Sequence, residues 1–195
     1  MSSSYSRRSR RANPTKPEQP KKTVALTDDY HKAMGLFNGM WASLDLTTDY
    51  AIYKFLNVTP GQAHLITSGM MFGRKARLLA DLIGHSNHPN KAQILGAFNK
   101  VRGGNMRDIF AHSYIRSGIN SVTFVERSTS NEFKATEHTF TMLALAQHVH
   151  DFAAGVEAFW TSLGVTKSEI EAFAMAAFSL NRKSKTSPVK PTSRS

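Results

Sequence analysis

The chain has 195 residues, no cysteine and a formal net charge of +11, with 25 lysines and arginines against 14 acidic residues. The absence of cysteine excludes disulfides, thiolate zinc sites and cysteine nucleophiles. No window reaches the roughly 18 uninterrupted apolar residues of a membrane span, and no apolar stretch follows the basic start of the chain as in a secretory signal. We therefore expect a cytoplasmic protein with no membrane partner.

The positive charge is concentrated at the two ends. Residues 1–22 carry a net +6 and residues 181–195 a net +5, so residues 23–180 are neutral overall. Both ends are rich in Ser, Pro, Lys and Arg and poor in large apolar residues, which predicts disordered basic tails. Such tails attract RNA, DNA or an acidic surface, and solubilisation alone is an equally good interpretation. The remaining residues, 23–180, suit one domain.

The first half of this domain is predicted as two long amphipathic helices. The first begins at the N-cap Thr27 and ends at the turn-forming segment 57–61. Its apolar residues recur at spacings of three and four: Met34, Phe37, Trp41 and Leu44. The second extends from near Pro60 to Ile83, with apolar positions broad enough for packing on more than one side. Three basic residues of this helix are predicted to face water: Arg74, Lys75 and Arg77.

A third helix follows Pro89, with Ile94, Phe98 and Val101 on its apolar face. The pair 103–104 is Gly-Gly, which costs about 2 kcal/mol of helix propensity relative to alanine. We expect a bend or break there, although close packing of helices is an alternative reason for the glycines. A new helix beginning near Asn105 would place Arg107 in its first turn, where backbone N–H groups favour a phosphate.

The second half combines strands and helices. Residues 122–125 and 132–136 alternate as the two strands of a small β-hairpin, with a turn at 128–131. A helix capped by Thr139 or Thr141 then continues to Gly164, and a capping box at 166–169 starts the last helix. The apolar positions of that helix are Ile170, Phe173, Ala174, Ala177 and Phe178. The predicted fold class is all-α, an antiparallel helical bundle with one small β-hairpin insertion.

Arg107, Asp108 and His112 are the candidate site residues. If residues 106–114 are helical, Asp108 and His112 share a face, and the carboxylate can hold the imidazole by a hydrogen bond. Arg107 and His112 lie about 140° apart around such a helix. Only the long reach of arginine, a helix start near Arg107 or a second copy of the chain would bring both to one target.

The segment 107–112, Arg-Asp-Ile-Phe-Ala-His, resembles the Arg-polar-x-x-Ala-His signature of HEPN domains. The order of helices, hairpin and long helix resembles that family over residues 27–164, and Ser113 departs from it because many relatives have glycine there. The resemblance implies a bundle of four to five helices.

The same resemblance implies a metal-independent endoribonuclease of a toxin or phage-defence system, with no cofactor, that leaves a cyclic phosphate. It implies a homodimer in which Arg107 and His112 of both chains face a shared cleft, with an antitoxin as a further possible partner. Asp108 would orient His112 or bind Arg107. These residue types suit the chemistry, because imidazole moves protons near neutral pH and the arginine fork binds phosphate through two hydrogen bonds.

Other interpretations of these residues stay open. Arg107 can be a structural ion-pair partner of Asp108 while His112 caps the core. The chain can also be a non-catalytic nucleic-acid-binding or adaptor protein that uses the basic tails. His85 and His88 have no evident third ligand, so no zinc site is predicted. The tryptophans and phenylalanines follow helical stripes and are predicted as core residues rather than stacking platforms.

Overall fold

The computed structural model describes residues 27–103, 106–128 and 134–182. The predicted tails fall outside these ranges, apart from residues 181 and 182. The helices in the described part are α1 (Asp28–Leu56), α2 (Pro60–Thr67), α3 (Phe72–His85), α4 (Lys91–Gly103), α5 (Arg107–His112), α6 (Met142–Leu163) and α7 (Lys167–Arg182). The strands are β1 (Tyr114–Ser117), β2 (Ser121–Ser128) and β3 (Lys134–Thr141). The chain is therefore mostly helical with a small antiparallel sheet, as predicted, although it has more helices than the four or five expected.

Several helix ends form where the sequence predicts them. The Thr27 hydroxyl accepts a backbone hydrogen bond at the start of α1, and Asn57 ends that helix in the left-handed conformation. Thr141 caps α6, which ends at Gly164 with φ of 65°. Thr166 and the N3 glutamate of α7 form the expected reciprocal capping box. These boundaries are encoded locally, in side chains that satisfy the unpaired N–H groups of a first turn.

The helix predicted from Pro60 to Ile83 is instead two helices. The segment 68–71 separates α2 from α3, at a Thr-Ser-Gly run whose members favour helices weakly. The prediction that Lys75 faces water is also wrong, because its side chain is only 8% exposed. Its Nζ atom lies 3.1 Å from Asp45 Oδ2 and 3.0 Å from Asp49 Oδ2 on α1. Two carboxylates on the neighbouring helix therefore make burial of this ammonium group possible.

The predicted hairpin is two strands of a three-stranded sheet with the order β1-β2-β3. Tyr114 of β1 pairs with Val125, and Ser121 of β2 pairs with Thr141 of β3. The turn predicted at 128–131 falls almost entirely outside the described residues. The additional strand β1 follows α5 after one residue, because Ser113 is already in an extended conformation.

The main core forms around α1, which packs against α3 and α6, while α4 packs against both of them. Its largest fully buried side chains are Phe37, Phe98, Phe124, Phe159, Leu44 and Ile52. A smaller cluster of Tyr50, Ala63, Ile170 and Phe173 attaches α7. The side chains of Ala177 and Phe178, predicted to face inward, lie outside the described set. Within the residues described, no helix combines the length and apolar character needed to cross a bilayer.

Candidate functional site

Helix α5 carries all three candidate site residues. It has six residues and begins at Arg107, so the expected helix start near this arginine is confirmed. Helical structure stops at His112 instead of continuing through Tyr114, which belongs to β1. The buried Phe110 anchors α5, with its ring centroid 4.9 Å from that of Phe37 on α1 and 4.8 Å from that of Phe124 on β2. One side chain therefore joins α5 to both the bundle and the sheet.

Asp108 pairs with Arg107 rather than with His112. The Arg107 Nη1 atom lies 3.4 Å from Asp108 Oδ1, and the Asp108 side chain is 84% exposed. Within the described residues, no hydrogen bond joins Asp108 to His112, which contradicts the expected orienting contact. The neighbouring guanidinium keeps its charge and attracts this carboxylate. An exposed ion pair of this kind contributes less than about 1 kcal/mol, so Arg107 can exchange Asp108 for another anion at small cost.

Arg107 lies in an open cleft of about 800 Å³ between α1, α3, α4 and α5. The lining comprises Trp41, Met71, Phe72, Gly73, Arg74, Ala76, Arg77, Arg102, Gly103, Arg107 and Asp108. Exposed His112 is not among these residues. The structure therefore brings Arg107 and Asp108 together at the cleft and leaves His112 at the far end of α5. This agrees with the angular separation expected from their spacing.

Positive charge dominates the cleft. Four of the six arginines in residues 23–180 line it, although that part of the chain is neutral overall. Asp108 is the one acidic residue in the lining described. Arg74 and Arg77 are three residues apart on one face of α3, and neither forms an ion pair within the part of the chain that the structure describes. The electrostatic field of the cleft therefore favours an anion.

An aromatic wall completes the cleft. The Trp41 ring centroid lies 4.6 Å from that of Phe72, and the Arg107 Cζ atom lies 5.1 Å from the Trp41 centroid. This distance fits a cation–π contact. The prediction of Trp41 as a core residue misses this role. Trp41 belongs to the apolar stripe of α1 but is only half-buried, and its position beside Arg107 depends on tertiary contacts.

The buried ion-pair group of Lys75, Asp45 and Asp49 ties together the helices that carry Trp41 and Arg74. Burial raises the pKa of Asp49, and the hydrogen bond and charge of Lys75 oppose that rise. Burial lowers the pKa of Lys75, but its contacts with Asp49 and Asp45 outweigh burial and hold that pKa above its usual range. We take Lys75 as charged, because two carboxylate groups contact its ammonium group directly.

Two other expectations about ligands have different outcomes. The expected phosphate site at the start of α5 is not supported, because a six-residue helix has a small dipole and Met106 provides no side-chain cap. Across the described ranges, no three His, Asp or Glu residues come together as metal ligands. His85 directs Nδ1 to the Asp81 carbonyl oxygen, 2.8 Å away.

Comparisons with known proteins assign no family to this chain. No protein-family model matches it, and no curated protein or solved structure matches it significantly. The functional argument therefore depends on the geometry of the cleft and of α5.

Proposed function

We propose that this protein is a metal-independent endoribonuclease that acts as a HEPN-like homodimer. The observation that carries the proposal is the position of α5, which sets Arg107 in the arginine-lined cleft and presents His112 to solvent five residues later. RNA is the substrate class that this charge pattern favours, because its phosphates can exchange with Asp108 at Arg107.

In the proposed reaction, the 2′-oxygen of a ribose attacks the adjacent phosphorus. His112 accepts the 2′-hydroxyl proton, and Arg107 neutralises charge on the phosphate oxygens through its guanidinium fork. The bond from phosphorus to the 5′-oxygen breaks, and a proton is delivered to that leaving oxygen. The products are a 2′,3′-cyclic phosphate and a 5′-hydroxyl, so neither a metal nor an external water is consumed.

A second protomer is part of the proposal because His112 can perform only one of the two proton transfers at a time. His112 and Arg107 also point to different sides of α5. Tyr114 and Ile119, which follow α5 in the chain, are 59% and 81% exposed and offer apolar surface for a second copy. In the proposed dimer, the partner's copy of α5 supplies the second imidazole. A role in a toxin or phage-defence system, with an antitoxin partner, belongs to the same proposal.

The alternative proposal is a non-catalytic nucleic-acid-binding or adaptor protein. It is favoured by the separation of His112 from the cleft and by the Arg107–Asp108 contact, which gives the two residues a structural role. Under this alternative the cleft or the tails bind RNA, and the bound RNA stays intact.

Cleavage of labelled RNA in EDTA tests the first proposal. His112→Ala is compared with His64→Ala, which removes another exposed histidine from α2, and sedimentation checks that each variant keeps its oligomeric state. We expect cleavage by wild type and His64→Ala and a loss of at least 100-fold in His112→Ala, the lower end of general acid–base contributions. Intact RNA in every sample, with folded dimers, would support the alternative.

A mixing experiment tests the shared site. If Arg107 and His112 act from different protomers, a mixture of inactive Arg107→Ala and His112→Ala chains recovers part of the activity. Full activity of a strictly monomeric wild-type protein would refute the shared cleft.

A further inference from the structure

We propose that the cleft is a nucleotide-binding site in which Arg74, Arg77 and Arg102 bind phosphate and the Trp41–Arg107 wall contacts a base. The ligand class is a nucleotide with its base unpaired, and the source that we favour is single-stranded RNA. That choice of source rests on the proposed function. The binding site itself lies outside the 107–112 motif, apart from Arg107 and Asp108, and does not depend on catalysis.

The arginines supply the argument for phosphate. Arg74 and Arg77 project from one face of α3, while Arg102 approaches from the end of α4, so cationic groups border the cleft from two helices. Arg74 and Arg77 are exposed and form no ion pair within the described ranges. Arginine is the side chain best matched to phosphate oxygens, because its planar fork donates two parallel hydrogen bonds. A cluster of these groups with a single acid favours an anion with several oxygens over a cation or an apolar ligand.

The flat wall supplies the argument for a base. The Trp41 indole, with Phe72 against it and the Arg107 guanidinium over it, forms a continuous π surface beside the arginines. Unpaired bases stack on aromatic rings and on guanidinium planes. Phe152 lies almost parallel to Trp41 at 6.3 Å and supports the indole from the core. A ligand that combines phosphate with a planar ring therefore matches both parts of the cleft.

The volume and openness of the site favour an unpaired nucleotide. The cleft measures about 800 Å³, which lies within the range of roughly 300–1,000 Å³ typical of ligand sites. It is an open surface cleft, so a chain can enter and leave at its ends. A base in a duplex has its faces covered by stacked neighbours and cannot reach the Trp41 wall.

Gly73 offers a way to reverse the charge of the cleft without disturbing the fold. It lines the cleft at the second position of α3, and a Cβ atom built there meets no atom within 4 Å. A glutamate at this position adds a negative charge beside Arg74. Glutamine provides the matched control, because it has nearly the same size and no charge.

The test measures binding of a fluorescent eight-nucleotide adenylate RNA by anisotropy, in EDTA and in the His112→Ala background, where the proposed cleavage is absent. The variant pair Arg74→Ala/Arg77→Ala is compared with Arg116→Ala/Arg127→Ala, which removes the same charge from the sheet. Both proteins keep the tails, so any contribution of the tails is held constant. Circular dichroism confirms the fold of each variant.

We expect a loss of at least tenfold in affinity for the α3 pair and less than twofold for the sheet pair. The slope of log K against log salt should fall by about 1.4 for the α3 pair, or about 0.7 for each phosphate contact removed from a single strand. Gly73→Glu should lose at least tenfold and Gly73→Gln less than twofold. Equal losses in the two arginine pairs would overturn the site, and this result is independent of whether wild type cleaves RNA.

Competition distinguishes the sources of the nucleotide. Displacement of the RNA by millimolar adenosine monophosphate, but not by inorganic phosphate, supports the nucleotide site and identifies a free nucleotide as a sufficient ligand. Resistance to both competitors, together with the expected arginine losses, supports an RNA chain that spans the cleft. Displacement by inorganic phosphate as effective as by the nucleotide would overturn the role of the Trp41 wall.

Discussion

Replacing Lys75 with methionine should destabilise the protein strongly at neutral pH. Methionine keeps much of the buried aliphatic volume but removes the ammonium group that contacts Asp45 and Asp49. Asp49, with a side chain 17% exposed, would then hold an uncompensated charge next to Asp45. Removal of one partner from a buried ion pair typically costs about 3–5 kcal/mol, so we expect the free energy of unfolding to fall by about that amount at pH 7.

The pH dependence gives this prediction a second test. Burial already raises the pKa of Asp49 above its usual value, and loss of Lys75 removes the groups that lower it. A carboxyl whose folded-state pKa exceeds its unfolded-state value binds more protons when folded, so its unfavourable contribution grows as the pH rises through that window. Its cost should therefore be largest at pH 7 and smaller near pH 4.

Urea denaturation of wild type and Lys75→Met at pH 4, 5, 6 and 7 measures both quantities. The control is the triple variant Asp45→Asn/Asp49→Asn/Lys75→Met, which removes all three charges and should recover most of the stability. A cost below about 1 kcal/mol at pH 7, or a cost that does not change with pH, would refute the account of Lys75 as the necessary partner of a buried carboxylate.

Three further substitutions test parts of the fold, each by thermal and urea denaturation. Gly73→Glu should stabilise the protein by about 1 kcal/mol, because it replaces glycine within a helix and adds an acid near the helix N-terminus, and a destabilised variant would contradict this. Trp160→Phe should cost about 1–2 kcal/mol, because the indole Nε1 donates to Thr47 Oγ1 at 2.6 Å, and an unchanged stability would show that water replaces this bond. Thr59→Ala should cost about 1 kcal/mol by removing the capping box with Gln62, with no effect expected if α2 is held by packing alone.

The local parts of the fold are predictable from the sequence. The ends of α1, α6 and α7 depend on short-range signals such as Thr27, Gly164 and Thr166, which act within a few residues. The break between α2 and α3 and the strand β1 are less accessible. In the first case an apolar stripe continues through weak helix formers, and in the second a short segment becomes a strand only because β2 pairs with it.

The candidate site is predictable only in part, for the same physical reason. The spacing of Arg107 and His112 correctly indicates that one helix cannot direct both to a small target. The sequence cannot show that Arg74 and Arg77 border the same cleft as Arg107, because more than 30 residues separate them and tertiary packing brings them together. Lys75, between those arginines, is misassigned as exposed because its two partners lie on another helix.

The anchoring of α5 at Phe110 has a mechanical consequence. A six-residue helix is about 9 Å long, and Phe110 is its one buried residue, with Arg107 on one side of it and His112 on the other. A tilt of α5 about this ring moves its two ends in opposite directions, as on a seesaw. An anion that draws Arg107 into the cleft therefore displaces His112 outward, so occupancy at one end is transmitted to the other without any change within the helix.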